Sequence, residues 1–195
     1  MYSPICATAW AGEQLPTVIL LAGLPGSGKT TLANRLSVQL GYIVLSRDTI
    51  KRALFGAYDV GNVQSDYAFN VLLDTLPISL SLAPGVIIDG VPFAKIEQAE
   101  RVELVTQMSG AVSVVFFLDC DVEIASDRVE LDHTGPSNRS PELVRRVSAE
   151  FRDIPDSWFC VDALKTPSEI EDRVLSMLSS REAINNNGSP HLCNR

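Results

Sequence analysis

A three-layer α/β fold, a parallel five-stranded sheet between helices, is predicted by three observations in this 195-residue sequence. Short apolar runs alternate with segments of helical period. One run, AVSVVFFLD, is apolar almost throughout, as a strand buried on both faces must be. A glycine-rich loop joins the first run to the first helical segment, and in parallel sheets such loops gather at the carboxyl ends of the strands.

Residues 17–22 (TVILLA) form the first strand, and Leu32, Leu36 and Leu40 then recur at helical spacing before Gly41. YIVLS is the second strand; it ends at Arg47-Asp48, and TIKRALFG follows as a short helix that Asp48 could cap. From Val63 to Leu82 the pattern is helical, with Pro77 expected to break or kink it. GVIIDG is the third strand, and a helix from Ala94 to about Met108 leads to the fourth, AVSVVFFLD. Asp121 caps a helix to about Arg128, after which ELDHTGPSNR is polar and turn-rich, as an exposed mobile loop would be. Ser140-Pro141 opens a helix with Leu143, Val147 and Phe151 in register, and Pro155 is expected to end it. SWFCVD is the fifth strand. Thr166-Pro167-Ser168-Glu169 fits a capping box for a last helix burying Ile170, Val174, Met177 and Leu178. The expected organisation is a 1–16 extension, one domain over 17–180 and a disordered 181–195 tail.

Composition sets the partner classes. The chain is 46% hydrophobic and 21% charged, ordinary for one globular domain, and its net charge of −8 repels polyanions, so nucleic acid is not expected as a partner. Cys6, Cys120, Cys160 and Cys193 show no C-x-x-C spacing, and Cys120 and Cys160 sit in apolar strands as core thiols would. His133 and His191 have no metal-ligand companions in the sequence. The start MYSPICATAWAGEQLP has neither a basic nor an apolar signal region, and no run is long enough to cross a bilayer, so a cytoplasmic protein without membrane contact is expected.

The glycine-rich loop carries the chemistry. Gly23-Leu24-Pro25-Gly26-Ser27-Gly28-Lys29-Thr30 satisfies G-x-x-x-x-G-K-[ST], whose amide groups cradle a di- or triphosphate at a helix N-terminus. Lys29 would reach the β- and γ-phosphates and the Thr30 hydroxyl would bind Mg²⁺, while Pro25, Ser27 and Thr31 complete the nucleotide contacts. The guanine-reading N-K-x-D is absent, and neither VIIDG nor FFLDCD places a glutamate after its first aspartate, which disfavours a GTPase and a motor ATPase.

VILLAGLPGSGKTTLANRL, VLSRDTIKRALFG, VIIDG, FFLDCDVEIASDRV and CVDALKTPSEI together resemble the small P-loop kinases grouped with polynucleotide kinase, chloramphenicol phosphotransferase and zeta toxins, over roughly residues 17–178. The resemblance implies a P-loop kinase fold with a mobile lid at about 129–140, and transfer of the ATP γ-phosphate, with Mg²⁺, to an acceptor hydroxyl. It implies Asp48 as general base, with a helix cap as its bland alternative, and arginines delivered by the lid. Arg128 lies where the first of these is expected; Asp132 stands where relatives often carry a second, leaving Arg139 to substitute. Asp89 matches a Walker-B aspartate that holds Mg²⁺ or faces the acceptor. Arg52 and Arg101 are candidate substrate contacts, a surface ion pair being the alternative for Arg101.

The acceptor is expected to contact YDVGNVQSDYAFN, where Tyr58, Asp59, Asn62, Gln64, Asp66 and Tyr67 offer polar and aromatic groups without lysine or arginine. A small neutral or cationic molecule, such as a nucleoside, sugar or antibiotic, fits that inventory. A nucleotide or polynucleotide kinase and a non-catalytic nucleotide-dependent module remain as alternatives.

Overall fold

The computed structural model describes residues 15–57, 61–132, 139–151 and 153–184. The elements run β1 (Thr17–Gly23), α1 (Lys29–Leu40), β2 (Ile43–Ser46), α2 (Arg47–Phe55), α3 (Asn62–Leu82), β3 (Gly85–Asp89), α4 (Ile96–Met108), β4 (Val112–Asp119), α5 (Val122–Leu131), α6 (Pro141–Glu150), β5 (Phe159–Asp162) and α7 (Pro167–Ile184). The five strands form one parallel sheet in the order β2-β3-β1-β4-β5. The α/β architecture expected from the sequence is therefore the one observed.

Strand pleating divides β1 between two cores. Ile19 and Leu21 point to one face, where they join Phe116, Leu118, Leu32, Leu36, Ile170 and Val174. Val18, Leu20 and Ala22 point to the other, against Phe69, Leu72, Leu76, Val102, Val115 and Phe117. All five of these β1 side chains are fully buried, as a central strand covered on both faces requires. Because every strand runs the same way, the loops after β1, β2 and β3 open on one rim.

Several local expectations change. Helix α2 begins at Arg47, two residues earlier than TIKRALFG suggested, and its cap is Ser46, whose hydroxyl accepts from the Thr49 amide at 3.4 Å. Asp48 thus sits inside the first turn and is not the cap. Helix α3 runs through Pro77 without a break; the proline has only to forgo its own hydrogen bond to the Leu73 carbonyl, on a face where Pro77 itself is exposed. Helix α4 begins at Ile96 after Lys95, not at Ala94. Helix α6 closes at Glu150 with Phe151 as its C-cap, well short of Pro155. The capping box of α7 is formed as expected: Glu169 accepts from the Thr166 amide at 2.9 Å, and the Thr166 hydroxyl accepts from the Glu169 amide at 3.3 Å. That helix continues to Ile184, past the boundary expected at residue 180. The expected lid overlaps the end of α5; residues 133–138, with His133, lie outside the described residues, as do the 1–14 and 185–195 segments carrying Cys6, His191 and Cys193. Cys120 is buried and free, whereas Cys160 is only half-buried. Among the described residues no helix is long and apolar enough to cross a membrane.

Candidate active site

A cavity of about 550 Å³ opens along the rim of the sheet, within the size range of small-molecule sites. The loop between β1 and α1 forms its floor. Two conformational demands make this loop glycine-rich. Gly26 holds φ +84°, and a Cβ there would meet the Ala125 carbonyl oxygen and approach Val129 Cγ2 to 2.9 Å, so α5 packs directly on the loop backbone. Gly28 holds φ +96° in the left-handed region immediately before α1, turning the chain so that the first amides of the helix face the cavity.

Lys29 is the buried cation of that floor, at 8% exposure. Its Nζ donates to the carbonyl oxygens of Gly23 at 2.9 Å and Leu24 at 2.6 Å, and to Ser27 Oγ at 3.4 Å. Burial lowers its pKa to about 8, although Asp89 opposes the shift by favouring the charge. The ammonium is curled onto its own loop, satisfied by weak neutral acceptors that a polyphosphate oxygen would outcompete.

Beside it, the Thr30 hydroxyl donates to Asp89 at 3.0 and 3.3 Å to the two carboxylate oxygens. Asp89 ends β3 and is 2% exposed; burial raises its pKa, with Lys29 and its hydrogen bonds to Gly90 and Thr30 pulling the other way. A hydroxyl and a carboxylate are the hard oxygen donors Mg²⁺ takes, and among the described residues no group of three His, Cys, Asp or Glu gathers that would favour a softer metal. The residues present therefore fit both expected groups, polyphosphate and Mg²⁺.

Asp48 enters from β2 and α2. Gly90, at φ +75°, lets β3 approach so closely that a Cβ would lie 3.0 Å from the Asp48 amide and 3.2 Å from its carboxyl carbon. Lys51, 5% exposed and one helical turn on, pairs with Asp48 Oδ1 at 2.7 Å. Asp48 Oδ2 is 3.9 Å from Arg139, which also lies 3.8 Å from Asp132. Arg128 lines the opposite end, donating to the Ala163 carbonyl at 3.0 Å and lying 3.8 Å from Cys120 Sγ.

The structure thus brings Pro25 to Thr31, Asp48, Asp89, Arg128 and Arg139 to one cavity, with Gly23 shaping the loop below it. Two candidates do not line it. Arg52 is exposed on the outer side of α2. Arg101 bonds Asn70 Oδ1 at 2.7 Å and lies over the Phe69 ring on the α3–α4 surface. Of the segment expected to contact the acceptor, Asn62 lines the cavity, and Tyr58 and Asp59 lie outside the described residues. The lining residues that sequence reasoning missed are Arg47, Lys51 and Ser65, together with Arg146 and Lys165. The signal for the first two was present: i and i+4 share a helix face, so Arg47 and Lys51 flank Asp48 whenever α2 starts at Arg47.

The chain is similar to known proteins in sequence and in fold. An adenylate kinase from Stenotrophomonas maltophilia (strain R551-3) is 29% identical, the match covering 82% of this chain and 98% of the relative. The solved structure of a gluconokinase from Sinorhizobium meliloti 1021 superposes with a TM-score of 0.66 at 14% identity, covering 90% of this chain and all of that one. Shikimate kinase from Acinetobacter baumannii, in complex with shikimate, does so with 0.59 at 21% identity, covering 87% and 96%. These structures share the fold. The AAA domain family matches residues 18–147, from the first buried residue of β1 through the α6 residue that closes the cavity, and the chain belongs to that family.

Proposed function

We propose that the protein is an ATP- and Mg²⁺-dependent phosphotransferase that moves the γ-phosphoryl group to an oxygen of a small-molecule acceptor, in the first instance a hydroxyl. One observation carries the reading: Asp48, a carboxylate with Oδ1 paired to Lys51 and Oδ2 3.9 Å from Arg139, shares its cavity with a complete phosphate loop.

The roles follow from position. Loop amides from 23 to 30 and the Lys29 ammonium bind the polyphosphate and hold the γ-phosphorus in line. Thr30 and Asp89 would hold Mg²⁺, which would supply neutralisation of the polyphosphate charge. Asp48 Oδ2 accepts the acceptor's hydroxyl proton as the acceptor oxygen bonds to the γ-phosphorus; the bond from γ-phosphorus to the bridging oxygen breaks, and its electron pair leaves with ADP. Arg139, 3.9 Å from Asp48 Oδ2 and 3.8 Å from Asp132, stabilises the charge on the transferring phosphoryl; Arg128 closes the nucleotide end. A gluconokinase and a shikimate kinase of this fold support the reading.

The test is label transfer from γ-³²P-ATP, with Mg²⁺ and a metabolite library, read by a mass gain on the acceptor. Wild-type transfer with Asp48→Asn reduced by about 10²- to 10⁴-fold supports it; transfer at the native rate by Asp48→Asn removes the base. The adenylate kinase relative favours a second reading, a nucleoside monophosphate as acceptor, which AMP in the same assay separates.

A further inference from the structure

Resting on the phosphotransferase reading, we infer that the acceptor carries an anionic oxygen group, a carboxylate or a phosphate, and that Arg47 in the β2 half of the cavity binds it. The sequence pointed to a neutral or cationic acceptor because the segment from Tyr58 to Tyr67 has no basic residue. The folded chain draws the wall of that half from α2 as well, and α2 supplies two cations, Arg47 and Lys51.

The two differ in what they already hold. Lys51 is matched by Asp48 Oδ1 at 2.7 Å. Arg47 Nε is buried and has no hydrogen-bond partner, the one such side-chain nitrogen or oxygen among the described residues. A buried guanidinium nitrogen without an acceptor loses its hydration and gains nothing, so an ordered water, an ion or a ligand is expected to complete its shell, and in a cavity that serves a reaction the ligand is the acceptor. Burial lowers the Arg47 pKa; Asp48 and Asp66 oppose that shift through space. Asp66 is exposed on α3 and Asp48 Oδ1 is paired with Lys51, so Arg47 Nε keeps no acceptor of its own.

Position assigns this cation to the acceptor and not to ATP. The phosphate loop follows the central strand β1, while Arg47 follows the edge strand β2; Arg128, Ala163 and Lys165 line the other end, beyond β4 and β5. Asn62 and Ser65 stand on the same side as Arg47 and offer neutral hydrogen bonds to the rest of the acceptor. A planar fork next to the general base fixes a carboxylate or phosphate and thereby aims the reacting oxygen.

The experiment is calorimetric titration of the full chain already saturated with magnesium AMPPNP, so that the phosphate loop is filled before any anion is added. Sodium sulfate serves as the phosphate probe and sodium acetate as the carboxylate probe. One saturable site is expected, roughly tenfold to a hundredfold weaker in Arg47→Met and unchanged in Arg52→Met, which removes a charge from the same helix outside the cavity. Preference for sulfate identifies a phosphorylated acceptor and preference for acetate a carboxylic one; either supports the inference. No saturable site, or equal binding by Arg47→Met with its thermal unfolding unchanged, overturns it. Failure of AMPPNP to bind at all would instead defeat the phosphotransferase reading.

Discussion

Lys29 is where binding and stability oppose each other. Its ammonium is buried among carbonyls, and the native protein therefore holds its proton less tightly than the unfolded chain does, with a pKa of about 8 in place of 10.5. Below pH 8 the full penalty applies; between pH 8 and 10.5 the unfolded state binds more protons, so this group's contribution to stability rises with pH by about 3 kcal/mol. Lys29→Met should accordingly stabilise the nucleotide-free protein at pH 7 and flatten that pH dependence in denaturant titrations, while abolishing measurable AMPPNP binding. In the wild type, AMPPNP affinity should fall as pH rises above about 8, since a neutral amine no longer attracts the phosphates. Gly26 makes the reverse point. Gly26→Ala forces a side chain into φ +84° and against α5, an expected loss of about 1–2 kcal/mol from the backbone alone, together with weakened nucleotide binding.

At the scale of elements, helix ends place the cavity walls. Ser140 caps α6 by accepting from the Leu143 amide at 3.2 Å, and α6 carries Leu143, Arg146 and Val147 into the lining. Ser140→Ala should cost about 1 kcal/mol by denaturant titration. It should also raise the KM for ATP more than it lowers kcat. Pro77 is the opposite case, a residue whose removal helps: Pro77→Ala restores a hydrogen bond at an exposed position of α3 and should raise stability by about 1–3 kcal/mol, visible as a higher Tm. The elements were legible from apolar period and capping residues. What was not read was that Ser46, two residues before Asp48, would cap α2. Ser46 and Asp48 both suit the role, and the choice of Ser46 frees Asp48 for the cavity and turns Arg47 and Lys51 toward it. Between the two readings of Arg101, substrate contact and surface contact, the sequence could not choose, because the face it occupies depends on α3 packing alongside, where Asn70 and Phe69 hold the guanidinium.

At the scale of the molecule, one parallel sheet lines up three strand ends that sequence separates widely, Lys29 with Thr30, Asp48, and Asp89. That convergence was readable from the alternation of strands and helices, since each loop at a strand's carboxyl end must share the rim. The acceptor's charge was not, because it depends on an edge-strand helix contributing to the wall next to α3. The global charge of −8 adds a constraint: a single-stranded oligonucleotide with a 5′-hydroxyl should be a poor acceptor at physiological salt. Efficient labelling of such an end, steeply dependent on salt, would contradict that expectation. The central claim, that the loop from Gly23 to Thr30 holds the polyphosphate of the nucleotide, is tested most directly by a crystal structure with magnesium AMPPNP. The polyphosphate should lie over this loop, with Lys29 Nζ transferred from the carbonyls of Gly23 and Leu24 to a phosphate oxygen and Asp48 facing the γ-phosphoryl group. A nucleotide bound elsewhere, or a Lys29 still hydrogen-bonded to those carbonyls in the complex, would contradict it.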